Sequence, residues 1–239
     1  MTSGQTWAVV PVKPFHSAKV RLAAILDAAE RAHLARVMLE DVLDAVARTG
    51  DLLAGCIVLT ADEDAAALAR QFDVLVLEEP APAGLNGALA MAAAHLSGDP
   101  NTSMLVIPAD LPHLSAEAIG QVVDLLDAPR SVALLRASGD GGTNLLGCRP
   151  ADVIPPSFGP SSFARHSRAA HRAGIAPRVL TCPALGQDID RPGDLAAFLA
   201  LGTATRTHQF LTRLGIAERL VRRPVHGVAS AFKRTLTAG

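Results

Sequence analysis

A mainly parallel α/β sheet of Rossmann-like type is the fold class this chain predicts, and two observations predict it. Short aliphatic runs alternate with amphipathic helical stretches from Trp7 to about Cys148, the pattern of a sheet covered on both faces. In addition, 239 residues with 49% hydrophobic content supply a continuous core for one large domain, or one domain plus an appendage.

Trp7 to Val12 is an apolar run stopped by Lys13-Pro14, which suits a buried first strand better than a helix. From Asp27 onward, Leu34, Val37, Met38, Val42, Ala45 and Val46 recur at helical spacing, with Glu30, Arg31, Glu40 and Asp44 elsewhere on the surface. A strand at Cys56 to Thr60, an acid-started helix from Asp62 through Arg70 and a strand at Val74 to Leu77 repeat the alternation. An Ala-rich helix follows near Leu85 to Leu96. Ser103 to Ala109 is a further apolar run ending at Asp110, and Ser115 with Glu117 marks the capped start of a helix reaching Leu126. Strands are expected at Val132 to Arg136 and Leu145 to Cys148, a helix at Ser162 to Ala173, and another opened by Pro192.

The expected division is one large α/β domain over residues 1–203 and a basic, helical extension over residues 204–239. In that extension Arg206, Arg213, Arg219, Arg222, Arg223, Lys233 and Arg234 face only Glu218. Its Phe210, Leu211, Leu214, Ile216 and Leu220 allow helices that dock on the body or on a second subunit of a homodimer, with Pro224 interrupting them.

A formal charge of -1 argues against a polyanion-coating surface, so nucleic acid is not an expected partner. Met1 to Trp7 is polar, and no stretch of eighteen apolar residues occurs, so neither export nor a membrane span is expected and the predicted location is cytoplasmic. Cys56, Cys148 and Cys182 are odd in number and widely spaced, which reads as small hydrophobes in a reducing compartment rather than a disulfide or zinc framework.

Ligands of an open parallel sheet bind beyond the carboxyl ends of its strands, so polar residues there carry the most weight. Three segments qualify. Lys13-Pro14-Phe15-His16-Ser17-Ala18-Lys19-Val20-Arg21 places cations after the first strand, where a triphosphate would use them; the competing reading is a solvated loop. The glycine spacing of a Walker loop is absent from it. Pro108-Ala109-Asp110-Leu111-Pro112 closes a strongly apolar strand with an aspartate that suits magnesium, or that starts a turn or caps the next helix. In Asp188-Ile189-Asp190 the carboxylates at i and i+2 of an extended stretch point the same way and can approach one cation, unless Asp190 merely caps the helix at Pro192. Asp194 complements the positive end of that helix. Two glycine-bearing loops, around Gly141-Gly142-Thr143-Asn144 and Phe158-Gly159-Pro160-Ser161-Ser162, expose backbone amides, and the second leads into a helix N-terminus that favours anions.

In order and spacing these segments resemble the CofC/FbiD family of guanylyltransferases, which prepare the side chain of coenzyme F-420. The resemblance covers about residues 7–201 and rests on Pro11-Val12-Lys13-Pro14, Ser17-Ala18-Lys19, Arg21-Leu22, Leu85-Asn86, Ala109-Asp110-Leu111-Pro112, Gly142-Thr143-Asn144, Phe158-Gly159-Pro160, Ala164-Arg165-His166 and Asp188-Ile189-Asp190. Arg191-Pro192 replaces the family's usual Thr-Pro, and Asp140-Gly141-Gly142 a more compact loop. The resemblance implies a nucleotide-diphospho-sugar-transferase-like (GT-A-like) fold, GTP as donor, Mg2+ as cofactor, and phosphoenolpyruvate, 3-phospho-D-glycerate or 2-phospho-L-lactate as acceptor. The product would pass to the next coenzyme F-420 biosynthetic enzyme. It makes Asp110, Asp188 and Asp190 metal ligands, puts Lys13, Lys19 and Arg21 on the nucleotide-facing loop and Asn86 near the base or ribose, and sets Thr143, Gly159 and Ser162 around the acceptor. Met91 is a candidate acceptor selector, with His95 one helical turn away.

The reaction expected is in-line attack of the acceptor phosphate on the α-phosphorus of GTP. Asp110, Lys19 and Arg21 carry the catalysis, and no histidine base is needed because a phosphate monoester is already largely dianionic. Phosphoenolpyruvate and 3-phosphoglycerate are favoured over phospholactate only as commoner metabolites. The rival readings are a molybdopterin or isoprenoid cytidylyltransferase of the same fold, a catalytically silent nucleotide-sensing module and, more remotely, a nucleotide-sugar glycosyltransferase.

Overall fold

The computed structural model describes residues 5–78, 84–137, 141–182 and 188–222. The strands are β1 (Thr6–Pro11), β2 (Gly55–Thr60), β3 (Leu75–Glu78), β4 (Ser103–Val106), β5 (Ser131–Arg136), β6 (Thr143–Arg149) and β7 (Arg178–Leu180). They form one sheet in the order β3-β2-β1-β4-β6-β5-β7. Only β6 runs against the rest: it is antiparallel to both β4 and β5, while all other pairings are parallel. The mainly parallel sheet expected from the alternation is therefore present.

Helices α1 (Ala28–Ala47), α2 (Glu63–Ala69), α3 (Gly84–Leu96), α4 (Ala116–Asp124) and α5 (Ser162–Arg172) cover the sheet. Neighbouring residues of one strand feed opposite faces, as the pleat requires. Val10, Val58 and Leu105 pack with Leu39, Val42 and Leu43 of α1 and Ile119 of α4. Val9, Ile57 and Met104 pack with Leu89, Ala92 and Ala93 of α3. Gly55 is required where it stands, because a Cβ there would lie 2.5 Å from the Trp7 ring, its partner across the β1–β2 ladder.

The expected helix starts hold in detail. Asp27 and Glu30 form a reciprocal capping box at α1, Asp62 caps α2, and Ser115 caps α4. Two expectations are corrected. The run Ser103 to Ala109 ends as strand at Val106; Ile107 still donates to the Val9 carbonyl at 2.9 Å, and Pro108 then has no N–H to continue the ladder. Strand β7 was not expected: it is three residues long and mostly exposed, too short to show periodicity.

Helices α6 (Pro192–Ala200), α7 (Arg206–Arg213) and α8 (Ile216–Arg222) build a third core with α1. Leu211, Ile216 and Leu220 are buried there with Leu34, Met38 and Phe198, and also with Leu22, Ile25 and Ile189 from the loops beside the acidic segments. Residues 206–222 thus dock on the body. Asp41 of α1 accepts from the backbone N–H of Arg206 and Thr207, both at 2.9 Å, capping α7 from another helix. Arg206 pairs with Asp44, and Arg219 with Glu30 at 2.8 Å, so part of the basic excess is spent on the acids of α1. Pro224 and residues 138–140 of the first glycine loop lie outside the described residues. Among the described residues, no helix is long and apolar enough to cross a membrane.

Candidate active site

The chain leaves β1 toward β2 and β3 on one side and returns to β4 on the other, so the strand order reverses between β1 and β4. A crevice at the carboxyl ends of strands forms at such a reversal. The loop after β1 and the aspartate after β4 both open there. The start of β6 joins them, because an antiparallel strand begins where its neighbours end: Val106 pairs with Leu146, placing Thr143 level with the residues just after β4.

Lys19 is the hub of this crevice. Its Nζ donates to Asp110 Oδ2 at 2.8 Å and to Asp190 Oδ1 at 3.1 Å, and Arg21 Nη1 donates to Asp190 Oδ2 at 3.2 Å. The Lys19 side chain is 7% exposed, whereas that of Arg21 is 65% exposed. Burial pulls the Lys19 ammonium down, but the charges and hydrogen bonds of Asp110 and Asp190 outweigh it and hold it above its ordinary value. For Asp190, burial pushes up, and Lys19, Arg21 and Lys13 together hold the carboxyl below its usual range. All three loop cations therefore act on the acidic segment, Lys13 through its field.

Asp188 completes the cluster. Ligand atoms of Asp110, Asp188 and Asp190 all lie within 4.8 Å of one another, a hard-oxygen donor set of the kind a divalent metal takes. Burial, then the charges of Asp110 and Asp190, push the Asp188 carboxyl up to about 6. Lys19 and Arg21 bond to the other two acids, so one carboxylate is left in a field too negative for it. That surplus is what a bound cation would relieve.

The competing cap readings fall away. Ser115, not Asp110, caps α4. Asp194 rather than Asp190 satisfies the entry to α6, accepting from the N–H of Asp190 at 3.0 Å and of Arg191 at 2.6 Å. Asp194 thus fixes the backbone of a cluster member as well as the helix end. Asp62, seen in the sequence only as a helix start, ties the cation loop down: Oδ2 accepts from Phe15 N–H at 3.1 Å while Oδ1 caps α2.

The second group of expected site residues forms a separate, neutral knot. Ser162 Oγ accepts from Thr143 N–H at 2.8 Å and lies 3.3 Å from Thr143 Oγ1, which is 2.9 Å from His166 Nδ1. His166 Nε2 accepts from Ser157 N–H at 2.8 Å, which assigns the proton to Nδ1 and makes it a donor to Thr143. Burial, and then the Arg165 charge, push His166 down to about 4, so it is neutral and cannot serve as a charged group at pH 7. Thr143, Ser162 and His166 are all buried. The sequence points to Thr143 and Ser162 as acceptor residues and to His166 only as part of Ala164-Arg165-His166, without a role; His166 lies at i+4 on the same helix face as Ser162.

Gly159 is exposed at φ +119, a conformation that disfavours a side chain. Asn86 spends its amide on the same loop, accepting from Phe158 N–H at 2.7 Å and donating to the Phe158 carbonyl at 3.2 Å. It therefore splints the Phe158–Gly159 turn. Met91 is 36% exposed on α3. Cys56 and Cys148 are buried in strands, their thiols pushed up to about 12 by burial, as inert hydrophobes should be.

Residues 6–229 match the family model described as "Guanylyl transferase CofC like", a span that includes α7 and α8. The chain is 37% identical over 222 residues to the phosphoenolpyruvate guanylyltransferase of Conexibacter woesei, covering 91% of this chain and 97% of that protein. It is 36% identical to the 3-phospho-D-glycerate guanylyltransferase of Phenylobacterium zucineum, covering 87% and 95%. It is 30% identical to the 2-phospho-L-lactate guanylyltransferase of Methanobrevibacter smithii, covering 88% and 91%. In fold it is similar to a Desulfovibrio desulfuricans protein provisionally assigned as a nucleotide-diphospho-sugar transferase, with TM-score 0.70, 19% identity, and coverage of 90% of this chain and 97% of that one. The crevice, its acidic cluster and these likenesses place the chain in the CofC-like guanylyl transferase family, as a nucleotidyltransferase.

Proposed function

We propose that this protein transfers GMP from GTP to the phosphate of a small three-carbon phospho-acid and releases pyrophosphate, as a step in coenzyme F-420 biosynthesis. The observation that carries the reading is the meeting of Lys19, Arg21 and the three carboxylates at the switch point of the sheet. The likeness to guanylyltransferases acting on three different phospho-acids supports the donor base and the acceptor class.

The donor set fits Mg2+, which binds through one or two carboxylates plus substrate phosphates. Asp110, Asp188 and Asp190 would hold it, and when bound it supplies positive charge to the oxygens of the reacting phosphates. Attack by the acceptor phosphate needs no protein base, since that group is already largely dianionic at neutral pH. The difficulty is the meeting of two polyanions, and the chain answers it with charge and position. Lys19 and Arg21 neutralise the leaving pyrophosphate, and Lys13, exposed at the mouth of the loop, meets the nucleotide's outer phosphates. The Thr143–Ser162–His166 knot and the Gly159 turn frame the acceptor, with Met91 bordering it and Asn86 holding the turn in place.

The acceptors compared differ by a methyl, a methylene, or a hydroxyl with a displaced phosphate, and the first two, being small apolar differences, discriminate only about 10- to 200-fold. We favour phosphoenolpyruvate or 3-phospho-D-glycerate. The test is pyrophosphate release with Mg2+ and each acid in turn, using GTP or CTP as donor. Release with GTP and one or more acids is expected. Release with CTP in place of GTP, or with no acid at all, would refute the assignment.

A further inference from the structure

The cation loop is mostly a surface segment: apart from the core residue Phe15, one side chain departs from the surface. Val20 is 63% exposed and the Arg21 side chain 65%, yet between Ala18 and Val20 the Lys19 side chain is turned inward to 7% exposure. It gets there at a cost, with a left-handed backbone at φ 54, a region that residues with a Cβ rarely occupy. The surroundings over-determine that conformation by bonding its ammonium to acids distant in sequence, 91 and 171 residues away. These two acids are also members of the only cluster of metal-ligand type found among the described residues.

A divalent ion held by Asp110 and Asp190 would take their carboxylate oxygens as ligands. The ammonium, at 2.8 and 3.1 Å from the same carboxylates, already covers that ground. The two cations would compete for the same lone pairs and repel each other. We propose that Lys19 is an internal cation that holds the acidic cluster together in the metal-free protein and is displaced by the incoming metal ion, which releases its ammonium to the polyphosphate of the nucleotide. The inference rests on the metal assignment proposed above and adds a second station for Lys19. Lys19 stays buried until metal arrives, so metal binding should strengthen nucleotide binding by freeing it.

The first test is Mn2+ binding to the full chain without nucleotide, read by electron paramagnetic resonance, for the native protein, Lys19→Met, and each of these combined with Asp188→Asn. Lys19→Met should bind Mn2+ about tenfold more tightly, the scale of removing one competing charge, while releasing pyrophosphate more slowly. A lysine with only a structural role would give weaker metal binding as the cluster loosened. Equal or weaker Mn2+ affinity in Lys19→Met overturns the inference. If Asp188→Asn leaves Mn2+ binding unchanged in both backgrounds, the metal assignment itself fails and takes the inference with it.

Should Lys19→Met not fold, the native chain answers the question. Its only lysines are Lys13, Lys19 and Lys233, so lysine-selective 13C labelling gives three Cε signals, assigned with Lys13→Arg and Lys233→Arg. The Lys19 signal should move on titration with Mg2+ alone. A Lys19 signal that stays fixed at a Mg2+ concentration that saturates the site overturns the displacement.

Discussion

At the ends of β1 and β4, charged side chains meet in a half-open crevice with one carboxylate left unbalanced; at the start of β6 and α5, neutral side chains meet in a closed knot bonded to one another. The first arrangement holds negative charge in excess, and the second is satisfied by its own hydrogen bonds. Charged groups kept at a crevice with surplus potential are a signature of chemistry, whereas buried polar groups bonded to one another serve shape. Mutations should therefore separate the two regions: the crevice should fail in turnover with little loss of stability, and the knot should fail in stability first.

The largest effect is expected at Asp110. Asp110→Asn should cut turnover by about a hundredfold or more, the scale of losing metal-based charge stabilisation, with a melting temperature close to native. Pyrophosphate release and thermal melting check the two halves, and retained turnover would remove Asp110 from the site. Next comes His166→Ala, which strands Ser157 N–H, takes the imidazole partner from Thr143 Oγ1 and opens a buried hole. It should cost about 2–4 kcal/mol of stability by denaturant titration, and in the surviving protein raise KM for the acid more than KM for GTP.

The two regions should also titrate with opposite sign. His166 is depressed to about 4 from an ordinary 6.5, so its contribution is full above 6.5 and is lost as pH falls through 4. Asp188 is raised to about 6 from 3.8, so its contribution is full below 3.8 and is lost as pH rises through 6. In metal-free protein melted between pH 7 and pH 4, His166→Gln should lose stability less steeply than native on acidification, and Asp188→Asn more steeply. Parallel curves would show that neither group is perturbed in this way. The smallest effect is expected at the remote cap: Asp41→Asn should cost about 1 kcal/mol with turnover nearly native, checked by the same denaturant titration and assay.

Much of this was legible in the sequence because it is local. Capped helix starts at Asp27, Asp62 and Ser115, and the strand end at Thr60, follow from chemistry within a few residues. The acids of the crevice were legible too, Asp110 through its position after an apolar run and Asp188 and Asp190 through their i, i+2 spacing ahead of a helix. The inward turn of Lys19 was not, since a lysine in a polar loop reads as solvated and its partners lie far along the chain. His166 looked like one of several histidines, because the Ser157 N–H that fixes its tautomer belongs to a loop with no pattern of its own. The docking of α7 on α1 was left open because Asp41 carries no sign, in sequence, that it caps a helix 165 residues away.

The most direct test of the account follows label rather than pyrophosphate. With GTP labelled at the α-phosphorus, Mg2+ and a phospho-acid acceptor, the native protein should move label into an acid-linked product in step with pyrophosphate. A variant with Asp110, Asp188 and Asp190 all changed to Asn should bind GTP and move none. Label transferred equally well without those carboxylates, or GTP bound by the native protein with no label moved to any acid, would contradict a guanylyl transfer site at the ends of β1 and β4.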